Sequence, residues 1–337
     1  MRFILVLIAA FLTGSLMFAQ TPTFTPDAPT DLETPTSTPP EIDTGTLTPP
    51  SDDVVSDVPD IGEKLQAIST RALVTSGDGV MINGFVIEGT GNKTVVIAGK
   101  GPSFRSESIP DTLVDPVLRL FRLESGTGWV EVNTNDDWET GLSDANRAIL
   151  TANNFTPTNS LESIIVATLQ AGTYGAQLEG KNGDEGVGLA EVYDFDTTSI
   201  SKITALSTRV YAGTDADTLV GGFIIDGDNS RTVGVRVSGP SLPSAAVSNP
   251  LTNPSLQVLR FVSGTGFVAI DGATNDDWET GLSDADRTTM QTNSFTPSNA
   301  LEPALVLTLE PGVYGGLVTG VDGGVGTALI EVYDFED

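Results

Sequence analysis

Two identical blocks of acidic and amide side chains have the residue types that bind hard cations. Asn135, Asp136 and Asp137 stand in a row within TNDDWETGLSDA, which runs from Thr134 to Ala145 and recurs unchanged from Thr274 to Ala285. Calcium typically takes about six to eight oxygen ligands from carboxylates, amide oxygens and backbone carbonyls. We therefore hypothesise a calcium site in each block, with the candidate ligands Asn135, Asp136, Asp137 and Asp144 in the first block and Asn275, Asp276, Asp277 and Asp284 in the second.

The same blocks have a second interpretation without a metal. Asn and Asp side chains also stabilise tight turns by accepting hydrogen bonds from backbone amides. Trp138 and Trp278 would then fill the edge of the fold as bulky apolar side chains. Since the spacing of the acidic residues does not match the twelve-residue loop of an EF-hand, both interpretations stay open.

Buried charge is predicted near the end of each copy of the repeated sequence. In the apolar final segment, strand alternation places Glu191 on the same side as Tyr193 and Phe195, where a lone carboxylate would be costly. First and last strands often meet in a β-sandwich, and an arginine recurs near the start of each copy. We therefore predict two structural ion pairs, Arg71 with Glu191 and Arg209 with Glu331.

The composition excludes most familiar catalytic machinery. The chain has no histidine and no cysteine. Serine hydrolase triads, thiol nucleophiles, and metal sites built on histidine or cysteine are therefore excluded. No catalytic residue is predicted, and we expect a protein that is not an enzyme.

The charge balance restricts the partners. The 45 acidic residues far outnumber the 16 basic residues, giving a formal net charge of -29. Such a chain is not expected to bind nucleic acid or anionic lipid through simple electrostatics. The acidic excess fits either cation binding or the solubility of an exported protein.

The block TNDDWETGLSDA lies within a duplication that covers most of the chain. Ser69-Thr70-Arg71 matches Ser207-Thr208-Arg209, and Glu191 to Phe195 matches Glu331 to Phe335. The offset changes from 138 to 140 residues near Asp271, which predicts a surface loop there.

Short apolar segments separated by Gly, Asn, Asp and Pro predict strands. In the first copy these are Val80 to Glu88, Thr94 to Ala98, Val117 to Glu124, Gly128 to Val132, Ile164 to Leu169, Gly172 to Glu179 and Val187 to Phe195.

This pattern predicts an all-β protein made of two tandem antiparallel β-sandwich domains of jelly-roll-like type, at residues 61–198 and 199–337. One short helix is expected per copy, capped by Ser143 or Ser283. Residues 1–19 resemble a signal peptide, with Arg2 before an apolar stretch, so the mature protein is expected to be secreted or at the cell surface, without membrane insertion.

A spacer is predicted between the signal peptide and the first copy, at residues 20–60. From Thr21 to Asp60, nineteen of forty residues are Thr or Pro, nine are acidic and none is basic. Such a segment buries too little apolar surface to offset its conformational entropy. We expect an extended, disordered arm.

Several recurring motifs resemble a repeat of secreted bacterial surface proteins. They are the Ser-Thr-Arg start, the Gly-Pro-Ser turn at Gly101 and Gly239, the Asn-Asp-Asp-Trp loop and the Glu-Val-Tyr-Asp ending. The order of that loop and a later Gly-x-Tyr, at Gly172 and Gly312, is similar to bacterial pre-peptidase C-terminal domains. That resemblance implies a small β-sandwich appended to exported enzymes, sometimes with bound calcium, and no catalysis of its own.

These observations lead to one main interpretation and one alternative. The main interpretation is a non-enzymatic exported structural module of the cell surface or extracellular matrix, with filament formation through self-association or contacts to other surface proteins as a hypothesis. The alternative is a carbohydrate- or surface-binding adhesin module, with polysaccharide as its partner.

Overall fold

The structure is a computed structural model that describes residues 64–196, 199–244 and 246–336. The predicted signal peptide and the Thr/Pro-rich arm lie outside the described residues. The described chain is mostly antiparallel β-sheet, which confirms the predicted all-β class. The seven strands predicted for the first copy are all present, and each copy begins with one further strand.

Sixteen strands are described, eight from each copy of the repeat. The first copy contributes β1 (Lys64–Val74), β2 (Met81–Glu88), β3 (Lys93–Lys100), β4 (Pro116–Glu124), β5 (Gly128–Asn135), β6 (Ser163–Leu169), β7 (Gly172–Gly180) and β8 (Gly186–Asp194). The second contributes β9 (Lys202–Ala212), β10 (Leu219–Asp226), β11 (Arg231–Ser238), β12 (Pro254–Val262), β13 (Gly266–Asn275), β14 (Ala304–Leu309), β15 (Gly312–Gly320) and β16 (Gly326–Asp334).

Each copy has two short helices after its Asn-Asp-Asp-Trp loop. These are α1 (Trp138–Gly141) and α2 (Asp144–Ala152) in the first copy, and α3 (Trp278–Gly281) and α4 (Asp284–Thr292) in the second. Ser143 caps α2 because its hydroxyl accepts a hydrogen bond from the Asn146 amide, and Ser283 caps α4 in the same way. The predicted caps are confirmed. Within the described residues, no helix is long and apolar enough to cross a membrane.

The strands form two antiparallel sheets that each run through both copies. Sheet A has the order β6-β3-β8-β1-β10-β15-β12-β13, and sheet B has the order β14-β11-β16-β9-β2-β7-β4-β5. A single residue pair, Leu73 with Tyr211, joins the two sheets where β1 and β9 cross. Each sheet therefore takes four strands from each copy.

The first strand of each copy also pairs with the second strand of the other copy, so that the two copies join edge to edge. Strand β1 lies between β8 of its own copy and β10 of the second copy. Strand β9 lies between β16 of its own copy and β2 of the first copy. Strand hydrogen bonds therefore connect the two copies along both sheets.

A buried polar contact marks the centre of this junction between the copies. The hydroxyls of Thr70 and Thr208, which are equivalent residues 138 positions apart, lie 2.7 Å from each other. Thr208 also donates to Oδ1 of Asn83 at 2.8 Å. All three side chains are fully buried. A contact between equivalent residues places them beside an approximate two-fold axis that relates the copies.

One contiguous apolar core fills the space between the sheets and includes residues of both copies. Ile330 of sheet B fits against Gly221 and Gly316 of sheet A, where an added Cβ would come within 3.0 Å and 2.5 Å of its side chain. Interiors packed this closely tolerate little added volume. The glycines therefore let the sheets approach at the junction of the copies.

The two-residue insertion near Asp271 does not form the predicted loop. It lies within β13, where the register against β12 shifts between Gln257 and Leu259. Asp271 and Gly272 are exposed there, and Gly272 has a φ of 75°. An edge strand accommodates the extra residues as a bulge because one of its sides has no partner strand.

Candidate functional site

The Asn-Asp-Asp-Trp loop of the first copy forms an acidic cluster with a residue from another loop. Carboxylate oxygens of Asp115, Asp136 and Asp137 lie within 4.8 Å of one another. The ammonium of Lys181 lies 2.7 Å from Asp136 and 3.2 Å from Asp115. Hydrogen bonds to these two carboxylates raise the pKa of Lys181 above its usual value, and the bond to Asp136 has the largest effect. A lysine thus supplies positive charge where the calcium hypothesis requires a metal ion.

The second copy differs at the two positions outside the loop. Backbone hydrogen bonds of 2.9 Å pair Lys181 with Asp115 and, at the equivalent place, Val321 with Asn253. The second loop, with Asp276 and Asp277, therefore has an amide in place of a carboxylate and no ammonium from this position. Within the described residues, Oδ1 of Asn253 has no hydrogen-bond partner.

The first residue of each loop stabilises the backbone. Oδ1 of Asn135 accepts the Ile164 amide at 2.8 Å, and its Nδ2 donates to the Asp137 carbonyl at 3.3 Å. Asn275 makes the same two contacts, with Ala304 and Asp277. These bonds fit the turn-stabilising interpretation for the two asparagines.

The two acidic residues at the helix starts lie outside this cluster. Asp144 is exposed in the first turn of α2, and Asp284 in the first turn of α4 forms an ion pair of 2.6 Å with Arg287. Of the candidate metal ligands, the structure thus brings Asp136 and Asp137 together with Asp115, which the sequence had not indicated.

A buried carboxylate in each copy binds the Gly-Pro-Ser turn. Oε1 of Glu162 accepts the amides of Gly101 and Ser103, and Oε1 of Glu302 accepts those of Gly239 and Ser241. Burial raises the pKa of Glu162. These glutamates position a loop and are not directed at a ligand.

The predicted ion pairs form with different partners. Glu191 is fully buried and pairs with Lys100 at 2.6 Å, not with Arg71. Ser69 and Tyr193 donate hydrogen bonds to its other oxygen. The register explains the difference, because Ser69 of β1 stands opposite Glu191 and Arg71 stands two residues further along, opposite Leu189.

Glu331 likewise pairs with Arg236 and not with Arg209. The pair is bidentate, with distances of 2.6 Å and 3.2 Å, and the Arg236 guanidinium lies 4.2 Å from the ring centre of Phe295. Within the described chain, neither Arg71 nor Arg209 has a hydrogen-bond partner for its Nε. Burial lowers the pKa of Arg71.

An open groove of about 550 Å³ lies on the outer face of sheet B, where the two copies meet. One row of paired residues across its floor runs from Arg236 through Glu331, Ser207 and Gly84 to Gly175. The next row places Arg209 between Leu329 and Ile82. We call this feature the junction groove.

The wall on the first-copy side is an exposed tryptophan. The Trp129 ring lies over Gly175, where an added Cβ would be 3.5 Å from Cζ3, and the residue is 54% exposed. On the second-copy side the groove is lined by Tyr333 and by the segment from Asn293 to Phe295. The junction groove therefore combines an aromatic surface, a cation and polar groups in one concavity.

The equivalent face of sheet A is closed. Arg71 is 5% exposed, and Ser69 and Glu191 are fully buried. Phe267 takes the place of Trp129 and lies over Gly315. The two copies thus build the same row of residues but leave it accessible on sheet B alone.

Comparison with known proteins adds no assignment. No protein-family model matches the chain, and no curated protein matches it in sequence.

Proposed function

We propose that this chain is a non-enzymatic structural module that is exported and works at the cell surface or in the extracellular matrix. The observation that carries the proposal is the pairing of β1 with β10 and of β9 with β2, which joins the two copies in both sheets. In this proposal the repeats at residues 61–198 and 199–337 act as one tandem β-sandwich unit and do not move independently. A unit of this kind transmits force through two continuous sheets.

Self-association through the sheet edges is part of the same proposal. Strand β5 ends sheet B and exposes Trp129 and Val132. An edge strand presents unpaired backbone groups that a further strand can bind. We propose that the apolar part of the Thr/Pro-rich arm, from Val54 to Ile61, adds to this edge in a neighbouring copy. Leu65, which follows this segment in the sequence, is buried in β1 and is not available for this contact.

Sedimentation and negative-stain imaging test this mechanism. The mature protein should form polymers, and a variant that lacks Thr21 to Asp60 should stay monomeric with an unchanged melting temperature. Val132→Lys on β5 should weaken polymers through charge repulsion between copies. Val262→Lys is the matched control, because Val262 is exposed on β12, an interior strand. A mature protein that is monomeric at all concentrations would overturn self-association.

We retain calcium as a proposed cofactor, now with the second loop as the stronger site. There Val321 replaces Lys181, so that no ammonium from this position competes for Asp276 and Asp277. The unpartnered Oδ1 of Asn253 supplies a further oxygen ligand. Calcium prefers such carboxylate and amide oxygens.

The second candidate function is a carbohydrate- or surface-binding adhesin module. The junction groove favours it, because its volume falls within the range of about 300–1,000 Å³ that is common for small-molecule sites. The exposed ring of Trp129 beside polar groups is typical of surfaces that bind sugars.

A further inference from the structure

We infer that the junction groove binds an acidic saccharide, in which one sugar carries a carboxylate among otherwise neutral neighbours. The inference rests on the second candidate function and names its ligand class. It does not depend on self-association.

The carboxylate requirement comes from Arg209. Its Nε is buried and has no hydrogen-bond partner within the described chain, and no described carboxylate forms a salt bridge with it. Arg209 lines the junction groove, and a guanidinium is well suited to hold a carboxylate because it is always charged and carries several N–H donors. The nearby Arg236 is already neutralised by Glu331. Arg209 is therefore the group in the junction groove that an anionic ligand would satisfy.

The sugar requirement comes from the rest of the surface. The ring of Trp129 offers a flat apolar face on which the C–H face of a pyranose packs. Gly84 and Gly175 keep the floor below it flat, since an added Cβ at Gly84 would lie 2.5 Å from the Ser207 hydroxyl. Ser207, Asn293 and the Glu331 carboxylate supply donors and acceptors for hydroxyl groups.

The charge of the whole chain limits how acidic the ligand can be. A net charge of -29 repels a dense polyanion everywhere outside the junction groove. A glycan with isolated uronic acid residues avoids most of this repulsion and still supplies one carboxylate to Arg209. An acidic peptide carries the charge without the pyranose faces and hydroxyl groups that the remaining surface fits.

The closed face of sheet A determines how many saccharides one chain is expected to bind. Arg71 stands in the equivalent row but is buried together with Ser69 and Glu191. We therefore expect one saccharide per chain despite the duplicated sequence.

Isothermal titration calorimetry on the mature full-length protein tests the inference, with cellobiouronic acid, which carries one carboxylate, as the acidic probe and cellobiose as the neutral probe. We expect one site per chain for the acidic probe and at least about tenfold weaker binding of the neutral one. Arg209→Met should weaken the binding of the acidic probe by about 10- to 100-fold, the factor expected for the loss of one charge-assisted hydrogen bond. Trp129→Ala should weaken the binding of both probes. Arg119→Met, an exposed arginine outside the junction groove, is the matched control and should change neither.

The stability of the variants separates a ligand-binding role of Arg209 from a structural one. Arg209→Met should keep or raise the melting temperature, because it removes a buried donor without a partner. Arg209→Lys retains the charge and should bind with intermediate affinity. A melting temperature that falls together with affinity would overturn the binding role.

The possible negative results of the titrations test different parts of the proposal. Equal binding of cellobiose and cellobiouronic acid, unchanged by Arg209→Met, would overturn the acidic specificity and leave the adhesin function standing. Binding of neither saccharide would overturn both. A poly-glutamate peptide that binds more tightly than cellobiouronic acid would overturn the saccharide class.

Discussion

Replacing Lys100 with methionine should strongly destabilise the protein. The substitution keeps most of the side-chain volume and removes the cation that lies 2.6 Å from Glu191. The Lys100 side chain is 10% exposed and that of Glu191 is fully buried, so that solvent cannot replace the lost charge. Removing one partner of a buried pair costs about 3–5 kcal/mol. We expect Lys100→Met to lower the free energy of unfolding by an amount in this range.

Urea unfolding followed by fluorescence measures this cost. Arg119→Met is the control, because Arg119 pairs with Glu131 at 3.5 Å and with Glu179 at 3.0 Å while these three side chains are 28–45% exposed. Exposed pairs contribute about 0–1 kcal/mol. Adding Glu191→Gln to Lys100→Met should recover part of the loss, since the amide oxygen can still accept from Ser69 and Tyr193.

Two results would refute this reasoning. A cost for Lys100→Met as small as that of Arg119→Met would mean that Glu191 does not depend on Lys100. A double variant less stable than Lys100→Met alone would mean that the carboxylate is not the source of the cost.

Three further predictions concern other parts of the fold. Burial raises the pKa of Glu162, so its stability contribution is fully present below about pH 4.5 and is lost as the pH rises through its folded-state pKa; the unfolding free energy of wild type relative to Glu162→Gln should therefore fall as the pH rises above about 4.5. Calcium at about a hundred times its Kd should add roughly 2.7 kcal/mol per site, and Asp137→Asn with Asp277→Asn should abolish the shift in melting temperature; identical melting curves in calcium and in chelator would end the calcium proposal. Thr208→Val leaves Asn83 Oδ1 without its donor at the junction of the copies and should cost about 1–3 kcal/mol in chemical unfolding, whereas an unchanged midpoint would contradict this.

Local structure was largely predictable from the sequence. Alternating apolar residues gave the strands, and the Ser143 cap gave the start of α2, because these features depend on neighbouring residues alone. The hairpin between β4 and β5 follows from Ser125-Gly126-Thr127-Gly128, with both glycines at positive φ.

The strand pairing between the copies was not predictable in this way. Because β1 and β9 derive from the same repeat, the side chains that let β9 pair with β2 would serve equally for pairing β1 with β2. The choice depends on the short connection from Asp194 to Lys202 and on contacts at the junction, such as Thr70 with Thr208. No single segment contains that information.

The partners of Glu191 and Glu331 were not predicted correctly because the two copies place the pairing cation at different positions. Glu191 takes its cation from Lys100, whereas Glu331 takes its cation from Arg236, which stands at the position of Ala98. The arginines that recur at equivalent positions in the two copies are Arg71 and Arg209, and neither of them pairs with the glutamate. Asp115 and Lys181 escaped notice because the second copy has Asn and Val there.

The measurement that tests the central claim most directly is differential scanning calorimetry of the mature protein. If the strand pairs between the copies make them one cooperative unit, unfolding is a single transition whose calorimetric and van't Hoff enthalpies agree. At about 0.7 kcal/mol per residue, the span from Lys64 to Glu336 gives roughly 190 kcal/mol. Two separate transitions, each with about half of that enthalpy, would contradict the claim that the copies form one structural unit.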